Sequence, residues 1–498
     1  MVKKILLALI ALLLAVVIAV VAKTLLTPSK QISVPKITPI AVDTNAAASR
    51  LGAAVRLQTI SSSSDPEANA DAFKALHAHL QASFPKVHAT LKREAIGNYG
   101  LLYTWQGTDK TAKPIAIFAH QDVVPIAPGT EKDWAQPPFS GAIADGFVWG
   151  RGAWDNKGNL MSQMEAIETL LASGFTPRQT VYVFFGHDEE IGGLRGAKTL
   201  AERWKKESVK LDFVLDEGTL IVEGILKGLE TPAALVGMAE KGYVTVLLTA
   251  SATPGHSSMP PPSPRQSAIA MMSAALSRLD DQQFPVQIRG LARDMFDTLA
   301  PEMTLVNRVV LSNLWLTKPI VESQLAKSAS TAAMLRTTTA LTQLNAGVRD
   351  NVLPGKAEAS VNYRVLPGDT TEQVVKHTLA AFGEGAPVSA TKKEGYSEPS
   401  KISRMDAPGY HAIAKTIRGL HPTMVVAPSL MLGGTDARHF DDVADNVYRF
   451  SPVRAGPDDL SRFHGTNERI SLSNYSEMIQ FYAEFLRAAA GPSSTKSP

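Results

Sequence analysis

The sequence predicts an α/β protein, a mostly parallel sheet interrupted by a smaller α+β insert. Three observations point there. Short β-branched and aromatic runs ("PIAIFAH", "TVYVFFG", "LDFVLDEG") alternate with amphipathic stretches such as "NLMSQMEAIETLLASG" and "GAKTLAERWKKE", as parallel strands joined by crossover helices do. From about Lys241 the order becomes strand, helix, strand, strand, helix, through "GYVTVLLTAS", "RQSAIAMMSAALSRL", "TTTALTQLNAG", "KAEASVNYRVLPG" and "TTEQVVKHTLAAF". That is the order of a small ferredoxin-like α+β unit. Finally, 498 residues that are 45% hydrophobic are enough for more than one core.

Taken in order, the chain opens with an apolar run, uncharged from Ile5 to Ala22 and closed by Lys23. It is about as long as the shortest transmembrane helix. No small-x-small cleavage site precedes Lys23, so residues 1–26 read as an uncleaved anchor rather than a signal peptide. Lys3 and Lys4 face Lys23, Lys30 and Lys36 across the span, so charge does not set its orientation. Residues 27–49 are rich in Pro, Ser and Ala, lack helical periodicity and read as an extended tether. The larger domain is expected over 50–240 and again over 396–490, where "YHAIAKTIRGL" and "SEMIQFYAEFLRAAA" return to it as helices. The insert spans 241–395, with Phe284 to Ser330 as extra helical and loop material inside it. The tail 491–498, "GPSSTKSP", reads as disordered.

Composition excludes several function classes. A net charge of +3 without a long basic run gives no support to nucleic-acid binding. No second apolar span follows the first, which argues against a transporter or channel. Cysteine is absent, so disulfides, thiolate metal sites and a cysteine nucleophile are excluded together.

What remains is a set of histidines and carboxylates at strand ends. "GHDEEIGG" places Asp188, Glu189 and Glu190 side by side after an apolar strand, and adjacent buried carboxylates need either water or a cation. "FAHQDVVP" offers His120 and Asp122, two apart and on one face of a strand, so that Asp122 can take the imidazole's second N–H. "WGRGAWDNKG" presents Asp155 in a glycine-rich turn opening a helix. "LDEG" brings Asp216 and Glu217, and "RFHGTNERI" brings His464. The carboxyl ends of parallel strands are where such a sheet places its site. Two imidazoles and at least three carboxylates exceed what one zinc takes. They suit two divalent ions about 3.5–4 Å apart sharing a bridging carboxylate.

Eight stretches in order, "HQDVVP", "GRGAWDNKG", "GHDEEIGG", "LDEG", "GHSSMPP", "RDNVLPG", "GGTDAR" and "FHGTNERI", resemble the dizinc metallohydrolases that include aminoacylase, carboxypeptidase S and carnosinase. The likeness is greatest to the carboxypeptidase S and N-acyl amino acid hydrolase branch. It implies a zinc-binding catalytic domain with the insert as a lid and dimerisation domain, and two Zn²⁺ per subunit that Co²⁺ or Mn²⁺ can replace. It also implies His120, Asp155, Glu190 and His464 as metal ligands, with Asp216, or alternatively Glu217, as the fifth. Asp122 would orient His120, Glu189 would be the general base, and the bond from Asp155 to Asn156 would be cis. His256 would reach the active site of a dimer partner to stabilise the oxyanion. Arg364, with Asn351 and Arg438, would bind a substrate carboxylate. His77 and His79 read as solvated on a surface helix and His187 as structural.

The implied activity is hydrolysis of an amide in short peptides or N-acyl amino acids bearing a free carboxylate. An N-fatty-acyl amino acid hydrolase/synthase is the alternative. A non-enzymatic, membrane-tethered binding or dimerisation module should have lost ligands or base, and all are present. The resemblance to a lumenal carboxypeptidase places the catalytic domain in a periplasmic, lumenal or extracellular space, secreted if the anchor is cleaved.

Overall fold

Ile115–His120 and Val181–Gly186 are buried on both faces along almost their whole length, as central parallel strands must be when helices cover both sides. The computed structural model, which describes residues 1–383 and 385–491, builds an eight-stranded sheet around them. Its order is Lys92–Ile96, Gly100–Trp105, Val181–Gly186, Ile115–His120, Leu211–Val222, Ala444–Ala455, Ala233–Glu240 and Val425–Met431. The centre is parallel and the first two strands form an antiparallel margin. The helices Lys157–Ala172 and Leu472–Ala490 cover one face through Leu160, Met164, Tyr475 and Phe485. Ala197–Lys206 covers the other through Leu200 and Trp204.

The insert has its own sheet, Thr338–Ala346, Lys356–Val365, Gly242–Ser251 and Val388–Lys392, all antiparallel. Helices Ala268–Asp281 and Thr371–Phe382 supply Met272, Leu279, Val374 and Phe382 to a core with Val246 and Tyr363. The last strand, Val388–Lys392, was not among the sequence expectations. It completes the ferredoxin-like order.

The structure corrects three expectations. Beyond Phe284, which packs on the insert's core, the 284–330 material packs on itself and against the edge of the large sheet rather than inside the insert. The helix Gly290–Leu299 carries an i, i+4 stripe, Leu291, Met295 and Leu299, and the last two pack with Val222, Ala233, Val425 and Ala427 at that sheet's edge. Second, residues 27–49 are not a loose tether. Thr44–Val55 is a helix capped by the Asp43 side chain, and the segment before it is a docked strap. Gln31 exchanges two hydrogen bonds with the Val426 backbone, the Ile37 N–H donates to Gly419 O, and Arg418 donates to Ile32 O. Gly419 is glycine because a Cβ there would meet Ile37 at 2.5 Å. Third, His77 and His79 are half-buried rather than solvated. His77 Nε2 lies 2.8 Å from Gln121 Oε1 and His79 Nε2 lies 2.9 Å from Arg50 O.

The N-terminal run forms one helix, Val2–Leu26, long and apolar enough to cross a membrane. The tail expected to be disordered lies, from residue 492, outside the described residues.

Candidate metal centre

Strand ends and loops bring five donors together. His120 ends its strand. Asp155 stands just before the helix Lys157–Ala172, reached through Gly150 and Gly152 at φ of 137° and 90°, values an L side chain rarely adopts. The peptide from Asp155 to Asn156 is cis. Glu189 and Glu190 begin a short 3-10 turn beyond Val181–Gly186. His464 sits in a turn at φ 56°.

Asp155 divides its two oxygens. Its Oδ1 lies 3.1 Å from His120 Nε2, which is also 3.2 Å from Glu217 Oε1. Its Oδ2 lies 2.9 Å from His464 Nε2, which is also 3.4 Å from Glu190 Oε2. One carboxylate thus sits between two His–Glu pairs. Glu189 Oε2 is 4.0 Å from His120 Nε2.

The fourth-strand carboxylate here is Glu217, not Asp216. Asp216 turns away and accepts the backbone N–H groups of Glu217 and Ala437, each at 2.8 Å. The physical reason is that the strand does not end at "DEG". It runs on from Leu211 to Val222, so neighbours alternate faces and only one of the pair can face His120. Asn156 Nδ2 donates to the far oxygen of Glu217 and holds it there.

Electrostatics show what the cluster favours. Burial, and then Glu217, Asp436 and Glu190, hold Glu189 well above the usual carboxylate range against the pull of His120. Burial and Asp155 push Glu217 up to about 8. Burial alone would depress His120, but Glu217, Asp122 and Asp155 outweigh it and raise it well above its ordinary value. His464, beside Asp155 and Glu190, rises to about 10. A cation at the cluster would draw every one of these raised values down. Glu190 Oε1 is buried with no hydrogen-bond partner, an expensive condition unless a cation meets it. The donor set fits a pair of divalent ions, one at His120, Asp155 and Glu217, the other at His464, Asp155 and Glu190.

The supports are as ordered as the donors. Asp122 accepts the N–H groups of Glu189 at 3.2 Å and Glu190 at 3.1 Å, with one oxygen 3.3 Å from His120 Nδ1. The closer partner of that nitrogen is the Asp122 carbonyl, at 2.9 Å. Asp188 points away and accepts from Arg195 N and Gly196 N. His187 is buried edge-on against Phe73 and Tyr99.

Sequence reasoning passed over two buried acids. Glu468, inside "HGTNERI", accepts from the backbone N–H of Gly152, Trp154 and Asp155 at 2.8, 3.0 and 3.0 Å through one oxygen. Its other oxygen pairs with Arg151 at 2.6 Å. Asp436, inside "GGTDAR", is wedged where a Cβ on Gly186 or Gly193 would come within 2.1 Å of it. A buried charge in a loop leaves no period to read, so its place in a quoted motif was the only signal.

The remaining candidates stand in two groups. Arg364 is half-buried, its guanidinium 5.1 Å from the Tyr243 ring centroid, and burial together with nearby Arg438 lowers its pKa. His256 and Asn351 lie elsewhere, on a small exposed ribbon in which His256 pairs with Val352 and Ser257 N donates to Asn351 O. Among the described residues His256 Nδ1 meets only Ser258, Oγ at 2.8 Å and N at 3.2 Å.

Such a mixed α/β sheet, with its acids and histidines gathered at strand ends, defines a metallopeptidase or amidohydrolase. Residues 116–488 match the family model described as peptidase family M20/M25/M40, and the chain belongs to that family. It is 36% identical over 486 residues to a probable carboxypeptidase S-like 2 of Dictyostelium discoideum, covering 96% of this chain and 92% of that one. It is 38% identical over 444 residues to the N-fatty-acyl-amino acid synthase/hydrolase PM20D1 of Xenopus tropicalis, covering 88% and 84%. In fold it matches the M20 family metallo-carboxypeptidase Sso-CP2 from Sulfolobus solfataricus with a TM-score of 0.63, at 20% identity over 90% of this chain and 99% of that one.

Proposed function

We propose that the protein hydrolyses the amide bond joining an acyl or aminoacyl group to an amino acid with a free carboxylate, using two zinc ions. The observation that carries this reading is the division of Asp155 between two histidine–glutamate pairs. Two such ions would lower the pKa of a shared water and polarise the scissile carbonyl. Glu189 stands beside that position, where it takes the water's proton and returns it to the departing amine nitrogen. Asp122 fixes the base by gripping its own N–H and that of Glu190. Arg364 and Arg438 make a cationic corner suited to the substrate's carboxylate. The names of the relatives support both a short peptide and an N-fatty-acyl amino acid as substrate. Mass spectrometry of products from a mixed panel of the two classes separates them.

His256, exposed and meeting only its own loop, fits a role in a partner's active site, where it would stabilise the oxyanion. The insert offers a surface for such a dimer. Its edge strand Thr338–Ala346 pairs on one side only and exposes Leu341 and Leu344. An exposed apolar edge of this kind invites a second strand. The Val2–Leu26 helix serves as a single-pass anchor with the catalytic body outside the cytoplasm. Labelling of a cysteine placed in that body before cell lysis checks the location.

The base gives the direct test. Glu189→Gln keeps shape and removes the proton acceptor, so turnover should fall by about 10²–10⁴-fold while metal content stays at two ions per chain. Near-normal turnover with full metal would remove Glu189 from the mechanism.

A further inference from the structure

The helices Leu305–Ser312 and Leu314–Leu325 are apolar on two faces. One face is used: Leu311, Leu314 and Val321 pack with Ile288, Ala300 and Leu335. The other is bare. Leu305 and Val306 are each 73% exposed, Ile320 66%, Trp315 57% and Leu316 48%. Large apolar side chains exposed in number mark an interaction site, and here the neighbour identifies the partner.

These helices touch the anchor. Asn313 Nδ2 donates to Thr24 Oγ1 at 2.9 Å and to Val20 O at 3.3 Å, and Arg308 donates to Thr27 O. Along one side of the anchor helix, at i, i+4 and i+8, Val16 and Val20 are half-buried and Thr24 is buried. The uncharged run, however, extends to Ala22. From Val16 to Ala22, at 1.5 Å per residue, the covered part of that run is about 9 Å deep. Helices that lie in a membrane interface sink their apolar face about 5–10 Å. The body cannot stay clear of the lipid while holding this stretch of an inserted helix. The charges agree: Arg308 and Lys318 outnumber Glu322 along the pair and Lys327 follows just beyond it, while Glu322 is shared between Lys318, at 3.7 Å, and the Ile288 N–H. The excess suits anionic headgroups, and Trp315 is the residue type that gathers at that level.

We propose that the 305–325 helix pair is a second membrane contact, dipping into the leaflet beside the anchor so that the catalytic body rests on the bilayer rather than hanging from it. This rests on the anchor reading of Val2–Leu26. The chain contains no cysteine, so single-cysteine variants can be spin-labelled without background. In full-length protein reconstituted into phosphatidylcholine and phosphatidylglycerol vesicles, labels at V306C, L316C and I320C should collide with oxygen far more than with a water-soluble nickel chelate. L12C in the anchor should do the same, while V348C, at a site 91% exposed on the insert, should show the reverse. If L12C reports lipid but 306, 316 and 320 behave like 348, the pair faces water and the inference fails alone. Exclusion of both probes at those three positions means that a protein surface covers them, which overturns it equally. Water at L12C overturns the anchor reading and the inference with it.

Discussion

Replacing Glu468 with Gln tests whether the scaffold under the metal centre is held by one carboxylate. Glu468 is fully buried; its Oε1 takes three backbone N–H groups of the Asp155 loop and its Oε2 pairs with the Arg151 guanidinium. Gln preserves volume and can still accept from the three N–H groups, but its amide N–H₂ then meets the Arg151 donors. Arg151 is itself buried and keeps the carbonyls of His464 and Gly465 and the face of Trp134, 5.4 Å from its ring centroid. Breaking a buried ion pair from one side costs about 3–5 kcal/mol, roughly 10²–10⁴-fold in the folded-to-unfolded ratio. Those two carbonyls belong to the His464 turn, so the same change loosens the Asp155 and His464 sides of the centre together. Support residues of this kind are worth about 10–100-fold in metal affinity. The assay is equilibrium denaturation of metal-free protein alongside metal titration of the folded variant. Glu468→Gln with stability within about 0.5 kcal/mol of the parent and unchanged metal affinity would refute the reasoning.

Three further outcomes follow from the geometry. On the two-ion reading, Glu217→Gln should bind one ion per chain where the parent should bind two, whereas Asp216→Asn should lose stability but keep both, as metal analysis of purified variants will read. With Glu217 pushed up to about 8, His464 to about 10, and Glu189 and His120 also raised, the metal-free cluster holds protons at pH 7 that cations must displace. Metal binding should therefore release protons and tighten as pH rises, visible as calorimetric heats that change with the buffer's ionisation enthalpy; buffer-independent heats would contradict it. His256→Ala should slow turnover by about 10²–10³-fold with metal content intact, and mixing it with Glu189→Gln under confirmed subunit exchange should restore activity, because one mixed site then has both groups intact. No recovery would return His256 to an ordinary loop residue.

Much of the architecture was legible because it rests on periodicity. The doubly buried strands and the switch of order at Lys241 are properties of neighbouring residues. That His120, Asp155, Glu190 and His464 cluster was legible for a chemical reason: without cysteine, a buried His–carboxylate group has few other uses. What stayed hidden was long-range. Asp216 and Glu217 are equivalent until one knows that their strand runs on to Val222 and which face looks toward His120. Glu468 is one more acid until its loop folds under Asp155. The strap reads as a tether because its extended backbone has no period, yet Gln31 finds Val426 nearly four hundred residues away.

That strap alters what anchoring means. A free coil of its length, residues 27–43, would wander about 20–25 Å end to end, letting the body tumble on a leash. Bonded to Val426, Gly419 and Arg418, it behaves as a strut. On the proposed anchor reading, the enzyme would have one standing height and one attitude toward the membrane surface. Its metal centre would then meet incoming molecules from a constant bearing, and a lipophilic molecule gliding in two dimensions would encounter the same profile each time it passes.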